Sequence, residues 1–349
     1  MEKKLHQLKI RDLLDIDAPN ASTALINGET SNIVNWDDTR LSWVYPAYKN
    51  HLGNFWTPFE ISMAKDIKQW KTLSTDEKES FKAIIGLLAS MDSVQADAVM
   101  KFSDYVTDAH INNVAIIIAQ QEVVHNHSYS YVLSSLVPKA EQDEVFNLWK
   151  TNPLLRKRND FLFEPYLAFQ KDPNLHTFIH ALVHDIILEG LNFYSAFAFF
   201  YNLARNKKMI ATSTMINYIN RDEQLHVGFF TNLFKQVLME NASQLDPKEI
   251  QNLVFNSFKR GAELEMEWGR EIVGNKFDGV TATEIDDYVK FMANKRSQQL
   301  GIEEKIFPEV SENPLPWIKA YEDVNQIKSD FFHNKPRSYA RMDDDNDDL

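Results

Sequence analysis

From residue 57 onward, apolar residues recur every three or four positions over long stretches, the period of a helix with one buried face. Four stretches are long enough to cross a helical bundle: about 75–105, 109–136, 174–204 and 210–240. Thr57-Pro58-Phe59-Glu60 combines a capping box with proline at the first helical position, a start signal. Ser74-x-x-Glu77 and Thr281-x-x-Glu284 open two more helices. Breaks fall near Pro138, Pro153, Pro173, Asn206 and Pro247. No pair of alternating runs flanks a tight turn, and no internal repeat is present. Residues 1–55 lack sustained periodicity and read as an irregular arm. Residues 56–324 read as one helical domain, and 325–349 as a flexible acidic tail. The expected class is all-α.

Composition sharpens this picture. Only 10 of 349 residues are glycine, against a usual share of about 7%. Turn-rich β folds and glycine-loop nucleotide folds are disfavoured. Apolar residues at 44% and charged residues at 25% are ordinary for a globular chain. With 37 basic and 50 acidic side chains the net charge is −13, which argues against a nucleic-acid partner. Five aspartates sit between Asp343 and Asp348, so much of the excess belongs to the tail. Cysteine is absent, which rules out disulfides, thiolate metal sites and a cysteine nucleophile within this chain. Met1 to Arg11 is too polar for a signal peptide. No uninterrupted apolar run approaches the ~18 residues of a membrane span. A cytoplasmic protein without a membrane partner is expected.

On each long helix an ionisable residue interrupts the apolar stripe. Along Val114, Ile118, Glu122, His125, Tyr129, Val132 and Leu136 the spacing is three or four throughout, so Glu122 and His125 point inward one turn apart. The stripe Ile216, Ile219, Glu223, His226, Phe230, Leu233 repeats the arrangement. The first long helix carries Phe81, Leu88, Asp92, Gln95 and Val99; the third carries Phe178, Leu182, Ile186, Glu189, Phe193 and Phe197.

Four inward carboxylates and two imidazoles would be costly to bury alone. Two divalent cations would balance four carboxylates with two neutral histidines. One carboxylate from each of two helices, plus Glu-x-x-His from each of two others, is the donor pattern of dinuclear metal bundles. Asp92 in place of a glutamate is the one departure. The expected architecture is thus a ferritin-like helical bundle with a dinuclear metal site inside a four-helix core. Oxygen and nitrogen donors without sulfur suit iron or manganese and do not choose between them. Asp185, one turn before Glu189, is an alternative ligand. His180 and His184 have ligand spacing but no adjacent glutamate, and read as structural or exposed. His127 points off the Glu122/His125 face, toward the surface.

These residues resemble the small (beta) subunit of class I ribonucleotide reductases, over most of the chain from Trp56 to the tail. The motifs that carry the resemblance are Asn54-Phe-Trp-Thr-Pro58, Leu88-Ala-Ser-Met-Asp92-Ser, Glu122-Val-Val-His125-Asn-His-Ser-Tyr129, Leu188-Glu189-Gly-Leu-Asn-Phe193-Tyr and Arg221-Asp-Glu-Gln-Leu-His226. Asn313-Pro-Leu-Pro-Trp317 and Ser338-Tyr339 ahead of the acidic terminus agree too. The resemblance implies that Asp92, Glu122, His125, Glu189, Glu223 and His226 hold two Fe or two Mn ions, or a mixed pair. It implies that Tyr129, one turn after His125 on the inward face, is oxidised to a radical, with Phe193, Phe197 and Ile219 shielding it. Trp56 and Asp222 match residues linking His125 to the surface, and Tyr339 matches a tail tyrosine that passes the hole to the large (alpha) subunit. A homodimer and an activating flavoprotein are further partners of such chains.

The missing cysteines fit. Ribose reduction in this family needs a thiyl radical and a thiol pair, so nucleotide chemistry would lie on the large subunit. A soluble di-iron acyl desaturase or monooxygenase would share the metal core but would need a long substrate tunnel. A ferritin-like metal-binding protein would lack the acidic tail. Three questions stay open in the sequence: Fe or Mn, activation by oxygen, superoxide or a flavoprotein, and an oxidant stored on Tyr129 or on a high-valent metal pair.

Overall fold

A computed structural model describes residues 7–322. Tyr339 and the acidic run after it lie outside the described residues. Residues 7–43 are irregular and the regular elements that follow are all helical, with two isolated β-bridges, Gln7 with Asn174 and Ile26 with Val106, as the only β pairing among the described residues. Helices run as α1 (Val44–Leu52), α2 (Ala64–Trp70), α3 (Thr75–Ser103), α4 (Ala109–Leu136), α5 (Lys139–Phe146), α6 (Leu148–Thr151), α7 (Pro153–Lys171) and α8 (Leu175–Ile187). A wide π turn, Leu188–Asn192, joins α8 to α9 (Tyr194–Arg205). Then come α10 (Ile210–Glu240), α11 (Pro247–Ile272), α12 (Ala282–Gln299) and α13 (Lys319–Glu322).

The ends obey local chemistry. Ser74 accepts from Glu77 N while Glu77 accepts from Ser74 N, and Thr281 with Glu284 does the same for α12. Asp108 caps α4, accepting from His110 N and Ile111 N. Thr57-Pro58-Phe59-Glu60 forms its box, but only a 3₁₀ turn (Pro58–Glu60) follows before α2. The stretch at 174–204, expected as one helix, is two helices and the π turn.

The arm expected to be irregular through residue 55 contains α1, which packs on α4 and α10. Its buried positions are Val44 and His51, and a proline sits at 46. An inward face with so little aliphatic character leaves no readable stripe. Upstream, Leu25 N donates to Glu240 Oε2 at 2.7 Å and Arg40 pairs with Glu240 Oε1 at 2.7 Å, tying the arm to the end of α10.

One apolar core holds α3, α4, α8, α9 and α10 together, and α7, α11 and α12 pack around them and add their buried faces to it. Phe193, Phe197 and Ile219 are fully buried in it. By length and composition α3 has a window apolar enough to cross a membrane, more than the sequence pattern suggested, yet 61% of that window is buried inside the protein. Its apolar character serves the core.

The start of α10 shows a cap that no local motif announces. Met209 has φ 50° and offers no capping side chain. Asp66 of α2, fully buried, accepts instead from Ala211 N (3.0 Å), Thr212 N (2.8 Å) and Thr212 Oγ1 (2.8 Å). Asp66→Ala should lower folding stability by about 2 kcal/mol, because the buried Thr212 N–H and hydroxyl and the half-buried Ala211 N–H lose their acceptor at a helix N-terminus. A urea titration measures it; a loss under about 0.5 kcal/mol would mean water replaces the carboxylate.

Candidate metal centre

Asp92 comes from α3, Glu122 and His125 from α4, Glu189 from the π turn, and Glu223 and His226 from α10. All six are fully buried. They form two overlapping groups whose donor atoms lie within 4.8 Å of one another: Asp92, Glu122, His125, Glu223, and Glu122, Glu189, Glu223, His226. Glu122 and Glu223 belong to both.

The two histidines are arranged alike. His125 turns Nδ1 inward, 3.0 Å from Glu223 Oε1 and 3.6 Å from Glu122 Oε2, and its Nε2 faces Asp222 Oδ2 at 3.2 Å. His226 turns Nδ1 toward Glu122 Oε1 (2.9 Å), Glu223 Oε2 (3.0 Å) and Glu189 Oε2 (3.4 Å), and its Nε2 faces Gln121 Oε1 at 3.0 Å. An oxygen acceptor on Nε2 favours the tautomer with the proton there, which leaves Nδ1 free as a ligand.

Several buried polar atoms in the cluster lack a hydrogen-bond partner: both oxygens of Asp92, both of Glu122, Glu223 Oε1, His125 Nδ1 and Tyr129 Oη. Such atoms are rare in a folded core. Burial, and then the charges of Glu122 and Glu223, drive the Asp92 carboxyl well above the usual carboxylate range. Burial, then Glu223 and Glu122, do the same to Glu189. Burial would also raise Glu223, but its contacts with Glu189 and the two histidines win, and it is held low. Burial would lower both imidazoles, yet facing carboxylates and Asp222 raise them well above their ordinary value. The cluster thus needs positive charge. Two divalent cations fit it, since they would occupy the orphaned oxygens and the inward nitrogens together.

Tyr129, on the same face of α4, is buried with its phenol pushed well above the usual range by burial and by the Asp92 charge. Trp56 is buried beside the cluster. Its Nε1–H donates to Asp222 Oδ2 at 2.8 Å, the same oxygen that faces His125. The Trp56 and His125 rings lie 6.2 Å apart. Arg221 donates to Asp222 Oδ1 at 3.3 Å, so Asp222 is both an ion-pair partner and the link between ring and imidazole.

Asp185 stays outside both groups. Gln95 Nε2 donates to Asp185 Oδ1 (2.6 Å) and Glu189 Oε1 (2.5 Å), and Tyr166 Oη donates to Asp185 Oδ1 (3.1 Å). Burial lifts the Asp185 carboxyl to about 7. His184 is buried against Phe161, its pKa lowered to about 3 by burial, while His180 is half-buried and His127 exposed; none joins the cluster. Pattern reading missed Gln121 and His51. His51 Nδ1 shares Gln121 Oε1 at 3.1 Å, and its ring stacks on His226 at 5.6 Å. Gln121 follows no stripe because it reaches across to another helix, so only its place next to Glu122 hinted at it.

An all-α bundle built around a buried carboxylate–histidine cluster that could hold two ions defines a dinuclear metal-carboxylate protein. Comparison with known proteins then fixes the family. The model of the family "Ribonucleotide reductase, small chain" matches residues 33–314. The ribonucleoside-diphosphate reductase subunit beta of Halalkalibacterium halodurans is 54% identical over 342 residues, 98% of this chain and 99% of that one. The ribonucleotide reductase R2 subunit from Clostridium botulinum superposes with a TM-score of 0.87 at 34% identity, covering 91% of this chain and 99% of that chain. A dimanganese(II) NrdF from Streptococcus sanguinis gives 0.71 at 25% identity, over 83% and 98% of the two chains. The chain belongs to the ribonucleotide reductase small-subunit family. It works with the large subunit as an oxidoreductase that makes deoxyribonucleotides.

Proposed function

We propose that Asp92, Glu122, His125, Glu189, Glu223 and His226 hold two Fe or Mn ions, and that the chain uses them to make and export a radical from Tyr129. The observation that carries this is the set of orphaned oxygens in the cluster with the unpartnered Tyr129 hydroxyl beside them. The bound ions supply oxidising power by activating oxygen or superoxide, delivered directly or through a flavoprotein. Tyr129 gives up one electron and its phenolic proton, for which Asp92 is the carboxylate whose field acts most on the phenol. Dry apolar surroundings, with Phe193, Phe197 and Ile219 in the same core, protect the radical from water.

The outward route is His125, Asp222, Trp56, and then Tyr339 in the tail, whose acidic residues dock the large subunit. Asp222 Oδ2 bonded to both Trp56 and His125 supports the inner half. Trp56→Phe removes the Nε1–H donor while keeping an aromatic anchor. It should leave metal uptake intact and cut deoxyribonucleotide formation at least about 100-fold; turnover within twofold of the parent would remove Trp56 from the route.

We also propose that two copies pair. Leu13 and Ile16 of the arm, and Ile116 and Val123 on α4, are exposed large apolar side chains. Sedimentation at micromolar concentration should give a dimer; a monomer alone would count against pairing. Deoxyribonucleotide supply supports a cytoplasmic site of action. The reading as a whole is tested by loading the protein with Fe(II) and oxygen, or with Mn(II) and a reduced flavoprotein. A tyrosyl signal in electron paramagnetic resonance, and reduction of a ribonucleoside diphosphate once the large subunit is added, are expected. A protein that binds no metal under either condition would overturn it.

A further inference from the structure

Glu189 differs from the other five proposed ligands in its backbone. They sit on regular α-helices, whereas Glu189 sits on the five-residue π turn between α8 and α9. A turn of that width inserts a residue into the helical ladder. Relaxation to regular helix would rotate everything on one side by about 100°, swinging Glu189 away from the cluster. Something must hold the turn open.

Two buried guanidinium groups from outside helices grip it. Arg296 of α12 donates from Nε to Gly190 O at 3.2 Å and from Nη2 to Tyr194 Oη at 2.6 Å. Arg158 of α7 donates from Nη2 to Asn192 O at 2.9 Å. Its Nε is paired with Glu265 Oε2 at 2.5 Å, and Glu265 in turn accepts from Asn192 Nδ2 at 2.9 Å and from Ser195 Oγ. The grip on Gly190 is close. A Cβ there would lie 3.1 Å from Arg296 Nε and 3.2 Å from its Cγ and Cδ. Arg296 is 4% exposed and has no carboxylate within ion-pair distance among the described residues. A buried cation without a counter-charge is costly. It is stabilised here by carbonyl dipoles at the broken C-terminal end of α8.

We propose that Arg296 and Arg158 are positioning residues that clamp the π turn by the Gly190 and Asn192 carbonyls and so fix Glu189 at one of the two ion positions. This rests on the metal-site reading above, and the experiment separates the two. Manganese(II) alone is titrated into the full chain, with free and bound ion followed by electron paramagnetic resonance. The parent should bind two ions per chain. Gly190→Ala, which ordinarily favours a helix, sets a Cβ 3.1–3.2 Å from Arg296 and crowds its hold on the carbonyl; Arg296→Lys removes the Nε–H donor. In both variants the ion held by Glu122, Glu189, Glu223 and His226 should weaken about 10- to 100-fold. The other ion should keep its affinity, so that a coupled pair gives way to an isolated manganese signal. Two ions bound with parental affinity in both variants would overturn the clamp. Equal weakening of both ions together with a lowered melting temperature would also overturn it, since that is what a general loss of packing produces. A parent that binds no ion would overturn the site reading itself, and the clamp with it.

Discussion

Metal-loaded Tyr129→Phe protein should hold its two ions and show neither a tyrosyl signal nor nucleotide reduction with the large subunit. Phenylalanine fills the same space, so the stripe from Val114 to Leu136 stays packed and only the hydroxyl is lost. That hydroxyl is buried without a partner, so its removal costs little stability and can relieve strain. The expected loss of turnover is at least about 1,000-fold, equivalent to about 4 kcal/mol on the barrier. Tyr339→Phe makes the useful contrast, with metal and radical intact and only turnover lost. Full turnover by Tyr129→Phe would move the stored oxidant onto the metal pair, leaving the six proposed ligands untouched. Full turnover by Tyr339→Phe would end its role in transfer.

Glu122→Ala and Glu223→Ala should each reduce binding from about two ions per chain to fewer than one. Both side chains belong to both donor groups, so either substitution damages both positions at once. Asp92→Ala, by contrast, touches one group and should spare one ion. A second measurement guards against simple misfolding. In the metal-free parent the cluster's four acidic side chains share a dry core, where burial and mutual repulsion drive Asp92 and Glu189 well above the usual carboxylate range. The metal-free variants should keep the helical far-UV signal and a single cooperative melt, while the added stability that bound ions confer should vanish. Undiminished loading in both variants would remove these glutamates from the site.

Much of this layout can be read from three-and-four spacing alone. Glu122 and His125, or Glu223 and His226, lie in stripes whose other members are aliphatic or aromatic, and the structure brings all six proposed ligands together. Features that depend on distant partners leave no such trace. Asp66 caps α10 from about 145 residues away in sequence, and Gln121 reaches His226 across helices. The π turn is invisible because its cause is long-range: Arg158 and Arg296 take carbonyls that a single helix would keep for itself. Gly190 amid an apolar stripe was its one local sign. Helix α1 leaves no stripe because its two buried positions, Val44 and His51, are seven residues apart and only one is aliphatic.

The chain order of the donors has a consequence for biosynthesis. Asp92, Glu122 and His125 stand on α3 and α4, which pack closely on each other across a short connection. Such a local pair forms early as a chain leaves the ribosome. Glu189, Glu223 and His226 arrive much later, and Glu240 at the end of α10 then meets Leu25 and Arg40 of the arm. A nascent chain thus presents half a chelate, three donors with no second histidine. On the proposed ligand set, the full donor group is complete only once translation has passed α10, so uptake of both ions is expected in a finished fold rather than a growing one.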